Sequence, residues 1–224
     1  MLKNVIYQRK SVYFFDKNLT FSFFCNTPVQ ERETSMTKLR LKNIFRHLNL
    51  VLHHKNRVFI NCIKCGIPFR GLMHDLSKFS PTEFFESARY FQGNRSPITA
   101  ARKENQVSYA WLHHKGRNKH HIEYWLDQDC EVTPIMPYKY AVECVCDKLA
   151  ATRVYAKARG FYSNDMPLSH WNRFGNKVNG NPKIMKFLEV VFTDVAEHGE
   201  NYVLNKKYMK SKYKEIVLND EELK

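Results

Sequence analysis

The chain has 224 residues, with 36 Lys and Arg against 22 Asp and Glu, 10 His and a formal charge of +14. That length builds one domain, or one domain with appendages, around a proper core. With 43% hydrophobic and 26% charged residues, and only eight Gly and eight Pro, collagen-like and low-complexity chains are excluded. No uncharged apolar run of about 18 residues occurs, so no membrane-spanning helix and no membrane partner are expected. The positive charge favours polyanionic ligands: phosphates, nucleotides or nucleic acid.

Residues 1–35 differ from the remainder of the chain. Val12-Tyr-Phe-Phe and Phe21-Ser-Phe-Phe-Cys25 are apolar, but Asp16 and Lys17 interrupt them, which is unlike a signal peptide. The functional domain is expected to begin near Met36, with 1–35 as an extension. From there to Cys65, Leu41, Ile44, Phe45, Leu48, Leu52, Phe59, Cys62 and Ile63 recur at helical steps, and Gly66-Ile-Pro68 ends the helix. A short helix is predicted over 69–79. Ser80-Pro81 then supplies an N-cap and a first-turn proline for a third, to about Phe91. Further helices are predicted over 99–114, 118–126, 138–159, 167–177 and 182–197, with 127–137 irregular. The class is all-α, with the helical domain over 36–200 and a basic tail over 201–224.

Six cysteines, Cys25, Cys62, Cys65, Cys130, Cys144 and Cys146, are too few for a disulfide scaffold of this length. Two close pairs admit a four-Cys zinc site, but their apolar helical surroundings suit buried reduced thiols better. A reducing, cytoplasmic compartment is expected.

Seven of the ten histidines fall at 53, 54, 74, 113, 114, 120 and 121. Imidazole and carboxylate suit divalent transition metals. Helical facing prefers His54, which shares a side with Val51 and Val58, over His53; alone, such a residue is more often a hydrogen-bonded core histidine. His74-Asp75 lies in a buried stretch, where a carboxylate needs a cation or several donors; an ion pair with Lys78 is the competing explanation. His114 and His121 face inward in preference to His113 and His120. On one continuous helix they stand about 10 Å apart, too far for one metal, so either Gly116 turns the chain or two metals are served. The competing explanation is a solvated basic segment containing Lys115, Arg117 and Lys119. Asp147 shares an apolar face with Cys144, Ala151 and Val154 and calls for a metal or a basic partner.

The ordered set His54, His74-Asp75, His114, His121 and Asp147 resembles the HD-domain superfamily of metal-dependent phosphohydrolases in its dinuclear form. His74-Asp75-Leu-Ser-Lys78 is similar to the His-Asp-x-x-Lys form of that superfamily. His54-Lys-Asn-Arg-Val-Phe59, Arg70 to Phe84 and Ala110 to His121 resemble, more specifically, an uncharacterised family of small bacterial and phage proteins related to HD domains. The chain departs from the cyclic-dinucleotide phosphodiesterase branch: Lys115 follows His113-His114 where that branch has Glu, and no Gly-Tyr-Pro follows.

The resemblance implies an HD-like helical bundle with a core metal site. His54, His74, Asp75 and Asp147 would hold a first ion; Asp75 would bridge to a second on His114 and His121. The ions would be Mn, Fe, Co, Ni or Zn. Asp75 and Lys78 would act in catalysis, and Lys78, Lys115 and Arg117 would neutralise phosphate. Glu83 and Glu86 follow the doublet closely enough to orient a nucleophile. The expected substrate is a nucleotide or small phosphorylated compound. One alternative is a di-iron oxygenase of the same superfamily. Another is a nucleic-acid-binding protein using the basic surface and Lys206, Lys207, Lys210, Lys212 and Lys214 with Tyr208 and Tyr213. HD-type domains are often dimeric, which makes a homodimer one assembly for the chain.

Overall fold

The computed structural model describes residues 39–127 and 133–219. They are helical without a strand among them: α1 (Leu41–Lys64), α2 (Pro68–Met73), α3 (Pro81–Arg89), α4 (Pro97–Asn105), α5 (Tyr109–Lys115), α6 (Tyr138–Arg159), α7 (Met166–Phe174), α8 (Pro182–His198), α9 (Glu200–Val203) and α10 (Lys206–Tyr213). The extension assigned to 1–35, with Cys25, and Cys130 lie outside the described residues. No described helix is long and apolar enough to cross a membrane.

Local chemistry sets the helix starts. Ser80 accepts from the Glu83 amide ahead of Pro81, as the sequence predicts. Ser108, Asn181 and Asn205 cap α5, α8 and α10 in the same way. Helix α6 buries Ala141, Val142, Cys144, Val145, Cys146, Leu149 and Ala150, an almost continuous run rather than one stripe, so it forms the middle of the core. Around it pack α1 through Val58 and Cys62, α7 through Trp171, and α8 through Ile184, Phe187, Leu188, Val191, Phe192 and Val195. Each large side chain so withdrawn from water contributes about 1.5–3 kcal/mol.

Four segments differ from the sequence expectation. The helix over 69–79 breaks at His74-Asp75 and resumes as a 3-10 turn over Leu76–Phe79. The helix over 99–114 divides at Gln106, which has φ 63°, and restarts at the Ser108 cap. Residues 118–126 form turns and a 3-10 turn at Ile122–Tyr124 instead of a helix. Beyond 200, where the sequence suggested a basic tail, α9, α10 and a π turn over Lys214–Leu218 bring Val203, Met209, Tyr213 and Val217 into the core. Tyr213 is buried and donates to the Met136 carbonyl, so its ring does not stand free beside the lysines; Tyr208, half-buried, donates to Asp194. The described cysteines Cys62, Cys65, Cys144 and Cys146 are free and buried. None belongs to a candidate metal group among the described residues, so they do not form the zinc site. Burial pushes the Cys144 thiol up to about 12.

Helix α2 touches α1 through a glycine. A Cβ at Gly71 would lie 2.7 Å from the Cys62 Cβ and 2.9 Å from the Phe59 Cα. Gly71→Ala is therefore expected to cost about 1–3 kcal/mol of stability as the two helices separate. An unchanged urea midpoint would show that they separate freely.

His47 gives the fold a pH dependence of its own. It is buried against Phe84 and Phe91, with Nδ1 unpartnered. Burial first, and the charge of Lys78 second, lower it to about 4. The unfolded chain, titrating near 6.5, takes up this proton earlier than the folded one, so stability falls as pH drops from about 6.5 to 4. The loss assignable to His47 is at most about 3.5 kcal/mol, since each tenfold difference in proton affinity is worth about 1.4 kcal/mol. Urea unfolding across that window should show a flatter pH dependence for His47→Leu; identical slopes would exclude the assignment.

Candidate metal centre

The break at the doublet is what lets it converge. On a continuous helix His74 and Asp75 would point about 100° apart. Instead His74 has ψ 128° and Asp75 is left-handed, with φ 51°. Asp tolerates that conformation better than most residues. Lys55 Nζ holds the bend by donating to the Leu72 carbonyl (2.6 Å) and the His74 carbonyl (2.7 Å). A second bend follows α5, where the Asn118 amide donates to the His114 carbonyl and to Ser77 Oγ, each at 2.8 Å. This turn brings His120 and His121 back beside His114, so Gly116 does precede a change of direction.

Two overlapping groups of potential ligands result. The first is His54, His74, Asp75 and Asp147; the second is Asp75, His114, His120 and His121. In the first, Asp147 Oδ1 lies 3.0 Å from His54 Nε2 and 3.4 Å from His74 Nε2, and Asp75 Oδ2 lies 3.3 Å from His74 Nε2. In the second, Asp75 Oδ1 lies 3.4 Å from His114 Nε2 and 3.5 Å from His120 Nε2, while His114 Nε2 and His121 Nε2 are 2.9 Å apart. One oxygen of Asp75 thus faces each group.

The donor set fits a cation. His74 Nε2, Asp75 Oδ1 and His120 Nε2 are buried without a hydrogen-bond partner, although their neighbours are close. These atoms lie within 4.8 Å of the other potential ligand atoms of their groups, close enough to share an ion. Ligand atoms bound at about 2.1 Å stand about 3.0–3.4 Å from one another in octahedral or tetrahedral geometry. The electrostatics agree. Burial opposes ionisation of both Asp75 and Asp147, yet His74, Lys78 and His114 hold Asp75, and His54 and His74 hold Asp147, well below the usual carboxylate range. Burial would lower His74, but the carboxylates about it hold it well above. The buried carboxylates are thus balanced by positive charge from His74 and Lys78.

Two glutamates stand behind the histidines. Glu143, wholly buried on α6, has Oε1 3.1 Å from His74 Nδ1 and 3.4 Å from His120 Nδ1, and its Oε2 accepts from Arg70. Burial would raise Glu143, but His120 and His74 bring it to about 2. His74, His120 and Glu143 also form a potential ligand group. Because the Nε2 atoms of both rings already face the other two groups, Glu143 fits the place of an outer carboxylate that fixes ring orientation. Glu83 Oε2 does the same for His114 Nδ1 at 2.7 Å.

The structure therefore brings together all of His54, His74, Asp75, His114, His121 and Asp147. Lys78 Nζ lies 2.5 Å from Asp75 Oδ2, the ion pair that the three-residue spacing allowed. Lys115 is half-buried at the end of α5 and Arg117 exposed in the turn. His53 is exposed, and His113 binds Glu83 Oε1 outside the two groups. Glu86 accepts from Ser108 and the Tyr109 amide and so anchors α5 instead of facing the cluster. His120 and Glu143 were absent from the predicted set. Glu143 carries a signal, since it stands one turn before Asp147 on the same face.

No curated protein and no solved structure matches the chain. One family model does, over residues 43–194, and the chain belongs to that family, DUF5662, described as a family of unknown function.

Proposed function

We propose that this member of a family of unknown function is a metal-dependent phosphohydrolase acting on a nucleotide or another small phosphorylated compound. The observation that carries it is the Asp75 carboxylate, one oxygen in each of two His-rich groups. His54, His74, Asp75 and Asp147 would hold one ion, and Asp75, His114, His120 and His121 a second. When bound, such ions make a water acidic enough to yield hydroxide near neutral pH and draw negative charge off a phosphoryl oxygen. Mn, Fe, Co, Ni and Zn all suit this set of imidazoles and carboxylates.

The chain's own residues have definable parts. Glu143 engages Nδ1 of His74 and lies 3.4 Å from that of His120, and Glu83 engages Nδ1 of His114, which leaves Nε2 of each ring directed inward. Burial lowers His54 and His121, so both are neutral near pH 7, the form that ligates. Lys78 stays charged beside Asp75 and is the cation best placed to meet a phosphoryl group. The overall charge of +14 favours anionic substrates by long-range attraction.

The test is phosphate release from a panel of nucleotides and simple phosphate esters by protein loaded with each metal in turn. Hydrolysis that appears with metal and is lost on chelation is expected. Full hydrolysis by chelated protein would defeat the proposal. Oxygen uptake by the iron-loaded protein without phosphate release would transfer the cluster to oxygen chemistry.

A further inference from the structure

A cleft of about 420 Å³ lies along α1 and α6, lined by residues to which no role has been given and by none of the candidate ligands. Its walls come from both helices that supply the first ligand group. Leu50 stands one turn before His54 on α1, and Val154 two turns after Asp147 on α6, or about 6 and 10 Å along the two axes. Phe91 closes one side. The loop that completes it turns at Gly93, where φ is 87° and no side chain intrudes between Phe91 and Arg46.

The far end of the cleft is positive. Arg46 and Lys157 line it from α1 and α6, and neither has an acidic partner among the described residues. The Arg46 guanidinium rests over the Phe91 ring, 5.6 Å from its centroid, which limits its freedom at the cleft wall. An apolar trough with two such cations at one end, and with the first ligand group one to two turns along α1 and α6 from the other, suits a ligand that is anionic at both ends once that group holds metal.

We propose that this cleft binds the leaving-group portion of the substrate, and that the substrate is a phosphoester with a flat or apolar body and a second anionic group, the chemistry of a nucleotide bearing two separate phosphates. The body would lie between Leu50, Val154 and Phe91, and the second phosphate would meet Arg46 and Lys157. The volume falls within the roughly 300–1,000 Å³ common for small-ligand sites. The assignment rests on the phosphohydrolase proposal for the identity of the reacting end, but not for binding in the cleft.

The experiment uses the full chain loaded with Mn²⁺ and two probes, adenosine 3′,5′-bisphosphate and inorganic phosphate, with binding measured by calorimetry. Wild-type protein is expected to bind the bisphosphate more tightly than phosphate. Replacing both Arg46 and Lys157 by Ala removes two charge-assisted contacts and should weaken the bisphosphate at least about tenfold, while phosphate changes by less than about twofold. Leu50→Trp, which fills the trough without altering charge, should produce the same discrimination. Wild-type protein that binds the bisphosphate no better than phosphate would overturn the proposal, as would variants that weaken both probes equally. Discrimination in the cleft without phosphate release from any ester would uphold the binding site and remove the hydrolase.

Discussion

Replacing Asp75 by Asn is expected to empty both halves of the metal centre in one step. Asp75 is the residue common to the two ligand groups, with Oδ2 toward His74 and Oδ1 toward His114 and His120. Asn keeps the size of the side chain and tolerates the left-handed backbone at this position, whereas Ala would add strain of about 1 kcal/mol or more. The change therefore removes charge and ligand quality without disturbing the bend. Bound metal should fall to a small fraction of the wild-type content. If the cluster holds metal and the proposed hydrolysis depends on it, the rate should fall by roughly a thousandfold or more, since bound metal supplies several kcal/mol of charge stabilisation. Single-site variants at His54 or His121 should each affect one group and lose less. Equal metal content in wild type and Asp75→Asn would show that the cluster holds no ion through this carboxylate.

The second large effect is expected at Glu143. Its carboxylate is fully buried and faces Arg70, His74 and His120 together. Glu143→Ala leaves the Arg70 guanidinium and two ring nitrogens without their partner, a loss of about 3–5 kcal/mol by analogy with broken buried ion pairs. Glu143→Gln keeps the shape and part of the hydrogen bonding. It should remain folded while losing metal affinity by about 10–100-fold, the usual cost of removing a group that orients a ligating histidine. Competition with a metal-binding dye, beside a thermal melt, separates the two effects. A Gln variant with wild-type affinity would make Glu143 a packing residue only.

Much of this architecture is legible in the sequence because regular helices carry their own period. The span of α6 is visible as an apolar run between Pro137 and Gly160, and the preference for His54 over His53 holds because α1 is a true helix through both residues. The same rule fails at His120 and His121. Facing by helical period presupposes a helix, and this segment is a turn in which both rings meet His114. The doublet differs for a related reason. Convergence of adjacent side chains requires a broken helix, and the break is held by Lys55, distant in sequence, so no local pattern announces it. Apolar period also says nothing of what covers a face: Leu41 and Phe45 fit the repeat of α1 yet are 76% and 70% exposed. Beyond residue 200, five lysines obscure a four-residue apolar step, Met209–Tyr213–Val217, that packs into the core.

The central claim is that the His/Asp cluster holds metal. Its most direct test is elemental mass spectrometry on protein purified without a polyhistidine tag, beside the Asp75→Asn variant prepared identically. The expected result is about one or two equivalents of a transition metal per chain in the wild type and nearly none in the variant. Absence of metal from the wild type after supplementation with Mn, Fe, Co, Ni and Zn would contradict it, and would leave the cluster as a buried network of hydrogen bonds and ion pairs.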